Sequence, residues 1–262
     1  DELGDGWGRM RAAEMLAARA ELTGDRAGAL ELHRDALRRA EDLGLWPEVA
    51  IRLSWLGWTH TRLGEHAAAL EYGERALRLA TRQGHRAGEI FATIVLAFAS
   101  RRAGDLDAAT TYLRRLLPAG RPGDRVDADA TPAAHDPMVL MELGFVAGQR
   151  GDAETALRLH LDAFELAERL DAPQDRAGAL EGMAEALALR GDHVRAAELL
   201  GAAASAREAI SLVAAPVEQD DLDRVADACR TALGEEGFAA AFARGTRLTP
   251  AAAARNAAAT QG

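Results

Sequence analysis

One dipeptide pattern, a glycine followed by an acidic residue, recurs along this chain as Gly24-Asp25, Gly64-Glu65, Gly104-Asp105, Gly151-Asp152 and Gly191-Asp192. The intervals are 40, 40, 47 and 40 residues. A period of this size means a stack of similar supersecondary units, and it limits the fold more than any other feature of the sequence. Other positions keep the same register. Five residues after each glycine stand Ala29, Ala69, Ala109, Ala156 and Ala196. Twelve after it stand Ala36, Ala76, Leu116, Ala163 and Ala203, and eight before it Leu16, Leu56, Leu96, Leu143 and Met183.

The unit these spacings describe is a helical hairpin. Glycine permits the left-handed conformation that ends a first helix, and the acidic residue caps the start of a second. Small residues five and twelve positions on let the second helix pack closely. Apolar residues seven or eight positions before the glycine, as in Leu56-Gly57 and Leu143-Gly144, form the inward face of the first. One hairpin cannot bury both of its faces, so neighbours must stack.

These offsets resemble the tetratricopeptide repeat (TPR) over roughly residues 9–208. The period of 40 exceeds the usual ~34 residues and approaches that of HEAT repeats, so length alone does not choose. The Gly-acidic loop and the spaced alanines favour the TPR-like form, with helices lengthened by less than a turn. The expected fold is all-α: a right-handed superhelical solenoid of five TPR-like hairpins over residues 1–208. Residues 209–262 are expected to supply C-terminal capping helices and a tail. Within them, Val217–Gly234 and Glu235–Ala243 read as helices stopped by Gly234 and Gly245. The long interval holds Pro118 to Pro137, rich in Pro, Gly and Asp, expected as an exposed mobile loop tolerated as an insertion.

Composition removes several chemistries. All 31 basic residues are arginine and the formal net charge is −10. Without lysine there is no Schiff-base nucleophile and no phosphate-binding GKS or GKT loop. An acidic chain lacking a basic run is a poor partner for a phosphate backbone, so this segment is not expected to contact nucleic acid itself. The single cysteine, Cys229, allows no internal disulfide and fits a reducing, cytoplasmic setting. No apolar stretch is long enough to span a membrane. A start at Asp1 without a leader reads as a mature fragment or an excised domain.

The region beyond the repeats carries a second resemblance. Ala196-Ala197-Glu198-Leu199-Leu200-Gly201-Ala202-Ala203 with Arg207-Glu208-Ala209-Ile210 is similar to a segment of large actinobacterial transcription regulators. So is the run from Ala232 to Phe242, followed by Gly245 and Leu248-Thr249. The group includes the ATP-binding LuxR-type regulators and the Streptomyces antibiotic regulatory proteins. The resemblance implies a TPR-like sensor that restrains an attached ATPase and DNA-binding domain. No catalytic or DNA-reading residue carries over, because this chain contains neither a phosphate-binding loop nor a helix-turn-helix.

In a TPR-like stack the first helix of each hairpin lines the concave face. Six residues before the loop glycines stand Ala18, Trp58, Phe98, Phe145 and Glu185. Ten before stand Glu14, Ser54, Ile94, Met141 and Glu181, and thirteen before Arg11, Ile51, Phe91, Met138 and Gly178. The expected groove is therefore Trp58, Phe91, Ile94, Phe98, Met138, Met141 and Phe145, with Arg62, Arg101 and Arg102 beside it. Such a lining suits an apolar small molecule, an amphipathic helix or, through the arginines, an acidic segment. Stripes at helical spacing also serve as core between helices, and both roles stay open for the central positions.

Other constellations point elsewhere. His33 and His160 share a register position, nine after the glycine, expected to hold packing residues and not metal ligands. His33-Arg34-Asp35 copies a kinase triplet without its companions. Asp124, Asp127 and Asp129 alternate as in a calcium loop but lack its Gly and closing Glu. Pairs such as Glu74-Arg78 read as solvated helix surface. The function expected is a non-catalytic sensor of a bacterial transcription regulator, without cofactor or metal, binding an effector or protein partner. A stand-alone TPR adaptor is the alternative.

Overall fold

The computed structural model describes residues 6–117 and 133–259, with the side chains of residues 6, 7, 18 and 22 set aside. Among the described residues there are twelve helices and no strand. Ten of the helices pair into five antiparallel hairpins. They are α1 (Gly6–Thr23) with α2 (Arg26–Asp42), α3 (Trp46–Arg62) with α4 (His66–Gln83), and α5 (Arg86–Arg102) with α6 (Leu106–Leu116). Then follow α7 (Asp136–Gln149) with α8 (Ala153–Arg169), and α9 (Pro173–Leu189) with α10 (His193–Ala209). The chain ends in α11 (Pro216–Gly245) and α12 (Pro250–Ala258). The fold class is all-α, built from stacked TPR-like hairpins.

The loop signal works as expected. Gly24, Gly64, Gly104, Gly151 and Gly191 all have φ between +81° and +87°. In four of the five turns the following amide reaches back to the last helical turn, as in Asp152 N to Ala147 O at 2.9 Å, which closes the first helix. Asp25, Asp105, Asp152 and Asp192 each accept a hydrogen bond from the backbone amide three residues on, capping the second helix. Glu65 does not cap; its carboxylate takes the Nδ1 of His60 at 2.5 Å.

A second turn signal lies twenty residues after four of the loop glycines, the fifth such position falling outside the described residues. There Gly44 and Gly84 adopt φ of 67° and 61°, while Asp171 and Ser211 hold φ of 49° and 53°. A side chain costs about 1 kcal/mol or more in that region, less for aspartate. Asp171→Gly and Ser211→Gly should each raise stability by about 0.5–1 kcal/mol, measured as a higher urea midpoint at unchanged slope.

The described chain divides into two compact units, residues 1–116 with 213–217, and residues 117–212 with 218–262. The first holds three hairpins around Met10, Ala36, Ala40, Val49, Leu53, Ala76 and Ala92. The stretch Val213–Val217 belongs to it. Arg26 Nη2 donates to Ala214 O and Arg102 Nη1 to Val217 O, both at 2.9 Å. The register alanines Ala29, Ala69, Ala109, Ala156 and Ala196 are all buried in the helix contacts. Two expected inward residues are not: Leu143 is half-buried and Leu16 is half exposed. In α1 the buried stripe is Met10, Ala13, Ala17 and Ala20, spaced three and four apart, which turns Leu16 and Met15 outward.

The second unit holds hairpins four and five, covered by α11 and α12. Val225, Cys229, Phe238, Ala241, Ala253 and Ala257 join the core built by Leu157, Leu180, Met183 and Leu187. The helix α11 is broken at Gly234 (φ 71°, ψ 166°), where the sequence placed a stop, and ends at Gly245. Arg207 engages Glu181 through two nitrogens and lies 3.5 Å from Glu218, tying α9, α10 and the start of α11 together. The expected loop falls mostly outside the described residues, as do Asp124, Asp127 and Asp129. Its end is different: Asp136 and Pro137 already form the first turn of α7, because proline fits that turn without forfeiting a bond.

Candidate functional site

Two aromatic pairs join α3 to α5 in the first unit. Trp58 and Phe98 hold the same register position in successive hairpins, and their ring centroids lie 5.0 Å apart. One turn earlier, Trp55 meets Phe91 edge to face at 4.9 Å. All four residues are half-buried. Half-buried tryptophan and phenylalanine on adjoining helices, tilted or edge to face with one another, offer apolar and polarisable ring surface.

The flanking polar groups are held in place. Arg62 Nη1 donates to Glu21 Oε2 at 3.1 Å, and the same carboxylate accepts from Thr59 Oγ1. Arg102 is engaged at Val217 O, whereas Arg101 and Ile94 are buried. Of the residues expected in the groove of this unit, Trp58 and Phe98 meet each other and Phe91 meets Trp55, which the register had not singled out.

Met138, Met141 and Phe145 belong to α7 in the second unit. Met141 is buried, and Met138 and Phe145 are half buried. Phe145 packs edge to face on His160 at 4.7 Å. His160 itself fills the space left by two missing side chains: a Cβ on Gly144 or Gly182 would come within 2.6 Å or 2.1 Å of its ring. It is a packing residue, as its register position implied.

His33, its counterpart in the first unit, is buried too, but its ring lies flat on Trp55 at 5.5 Å and 7°. Burial and the nearby Arg52 charge lower its pKa to about 4. Arg34 and Asp35, its neighbours in the kinase-like triplet, pair with Glu31 at 2.6 Å and Arg39 at 2.7 Å on the surface of α2. Glu74 and Arg78 form the exposed pair expected of them at 3.2 Å. Cys229 is buried, and burial pushes its thiol pKa up, away from reactivity. Among the described residues, no group of His, Cys, Asp and Glu comes together to hold a metal.

Trp55 and Arg52 escaped the counting of register positions because that counting compared like with like. The signal that marks them is departure: Trp55 stands where the other hairpins have Met15, Val95, Glu142 and Gly182.

The second unit contains one carboxylate set against burial. Asp175 lies in the first turn of α9, where the helix dipole favours charge. Burial nevertheless raises its pKa from 3.8 to about 6. As pH rises from about 4 the unfolded chain releases this proton first, so stability is lost up to about pH 6. Asp175→Asn should therefore stabilise the protein at pH 7.5 by about 2 kcal/mol, discounted for residual solvent contact, and have little effect at pH 3.5. Urea melts at the two values test this.

Residues 49–82 match the model of the tetratricopeptide repeat. The matched stretch is the second hairpin, α3 with α4, so it includes Trp55 and Trp58. Such repeats are as a rule non-catalytic modules for protein–protein interaction. No curated protein shows significant similarity to the chain. No helix among the described residues is long and apolar enough to cross a membrane.

Proposed function

We propose that this chain is the sensing module of a bacterial transcription regulator, binding an effector or protein partner on the first-helix faces of its hairpins. The observation that carries the reading is the cluster of half-buried rings, Trp55, Trp58, Phe91 and Phe98, on α3 and α5. A side-chain set serving only as core would be closed off from solvent, as Leu56 and Leu96 are. Met138, Met141 and Phe145 are assigned to a corresponding face on α7. The acidic balance and the match to an interaction repeat favour a binding role over catalysis. The regulator context rests on the resemblance of Ala196–Ile210 and Ala232–Thr249 to the closing region of such proteins.

Binding to such a face biases the spacing of neighbouring hairpins, and an attached domain can read that change. The test is tryptophan fluorescence and thermal stability of the purified chain against a metabolite and peptide library. A saturable shift, weakened about tenfold or more in folded Trp58→Ala and Phe98→Ala variants, supports the reading. Binding that ignores both substitutions moves the site elsewhere. Capture of a protein partner with no small-molecule response favours the stand-alone adaptor.

A further inference from the structure

The stretch from Leu212 to Ala215 has no regular secondary structure, and Pro216 opens α11 directly after it. From Val213 to Val217 the chain runs along the loop edge of the first unit, where the hairpin glycines turn. A Cβ on Gly24 would stand 3.5 Å from a Val213 methyl, and one on Gly64 the same 3.5 Å from a Val217 methyl. Arg26 bridges its own loop and this strap, donating from Nη1 to Gly24 O at 3.3 Å and from Nη2 to Ala214 O at 2.9 Å. Arg102, two residues before Gly104, donates to Val217 O at 2.9 Å. Three successive hairpins thus hold one short segment.

Both arginines address main-chain oxygens, and an ionised donor strengthens such a bond. The edge therefore reads backbone, with a side-chain requirement only at Ala215, which is fully buried. The repeat itself does not demand these arginines. In the second unit the position of Arg26 holds Ala153 and His193, and that of Arg102 holds Gln149 and Leu189. The strap is also lightly held. Val213 is 49% exposed, Pro216 is exposed, and Ser211 at the entrance carries a strained φ of 53°. A segment with few buried apolar groups and no helical hydrogen bonds opens at far lower cost than the whole domain.

We propose that the loop edge of the first unit is a docking surface for an extended, uncharged peptide of small apolar residues leading into a proline. Val213–Val217 is its built-in occupant, displaced when a partner supplies the same chemistry. A tethered occupant competes at high effective concentration, so the edge stays closed to weak or scarce partners. This surface is separate from the first-helix faces, and neither reading depends on the other.

A fluorescent peptide with the sequence of residues 211–218, followed by anisotropy against the whole chain, tests this. The parent should bind it weakly. Ala215→Glu puts a charge where no solvent reaches, so it should expel the strap and raise affinity for the peptide about tenfold or more. Adding Arg26→Gln or Arg102→Gln to that variant should lower the affinity about fivefold or more. In the parent, amides of the strap should exchange with solvent at least about a hundredfold faster than those of α3. The proposal is overturned by strap amides that exchange only with global unfolding, by no peptide binding to folded Ala215→Glu, or by binding indifferent to both arginines. Loss of the tryptophan-reported unfolding transition in Ala215→Glu also overturns it, because the strap would then be part of the unit's core.

Discussion

Gly201→Ala and Gly245→Ala should each destabilise the second unit by about 3 kcal/mol or more, the largest single-residue effect expected in the protein. A Cβ on Gly201 would stand 2.2 Å from Phe242 O, and one on Gly245 would stand 1.9 Å from Glu198 O. Both obstacles are backbone atoms of a facing helix, so no side-chain rotation relieves them. The helices α10 and α11 must separate, and the apolar contacts of Phe238 and Ala241 with the α9–α10 core go with them. Hydrogen exchange should show lost protection across α10 and α11. Near-wild-type protection in either variant would mean that the two helices are not packed this closely. Gly64→Ala is the informative contrast: its nearest neighbour is a Val217 methyl at 3.5 Å, so its cost is conformational, from φ of 81°, and not steric.

The second large effect is a loss of stability in acid that His33 causes. Unfolded histidine titrates near 6.5 and folded His33 near 4, because the charged ring would be buried beside Arg52. Below about pH 6.5 the unfolded chain takes up a proton that the folded chain refuses, so stability falls with pH until about 4 and then levels. The loss across that window is about 3 kcal/mol. All four tryptophans, Trp7, Trp46, Trp55 and Trp58, precede residue 117, so urea melts followed by fluorescence report on the first unit. His33→Phe should flatten the dependence between pH 6.5 and 4.5. A variant as acid-sensitive as the parent would move the effect to another group. Asp175 acts with the opposite sign in the second unit, where rising pH costs stability.

The hairpin architecture was legible because it depends on local chemistry repeated in register. Glycine's freedom at positive φ, the acidic cap and the buried alanines are properties of single positions, and five copies leave little room for error. The stop at Gly234 and the cap that follows were readable for the same reason. Leu16 was not, because which stripe of α1 faces inward depends on what lies against it. The candidate site was legible in part. Trp58, Phe98 and Phe91 follow from register, but their partial exposure, the burial of Ile94 and Met141, and the engagement of Arg62 and Arg102 are settled by neighbours far away in sequence.

Sequence alone determined the element type, the turn positions and the number of hairpins, since each is set by interactions within a few residues. Only the tertiary structure decided where the chain divides into units and how His33 meets Trp55. It also decided which glycines admit a facing backbone. The physical reason is range. Backbone preference and capping act along one helix, whereas burial, desolvation and close approach are joint properties of helices that the period brings together without specifying what fills the space between them.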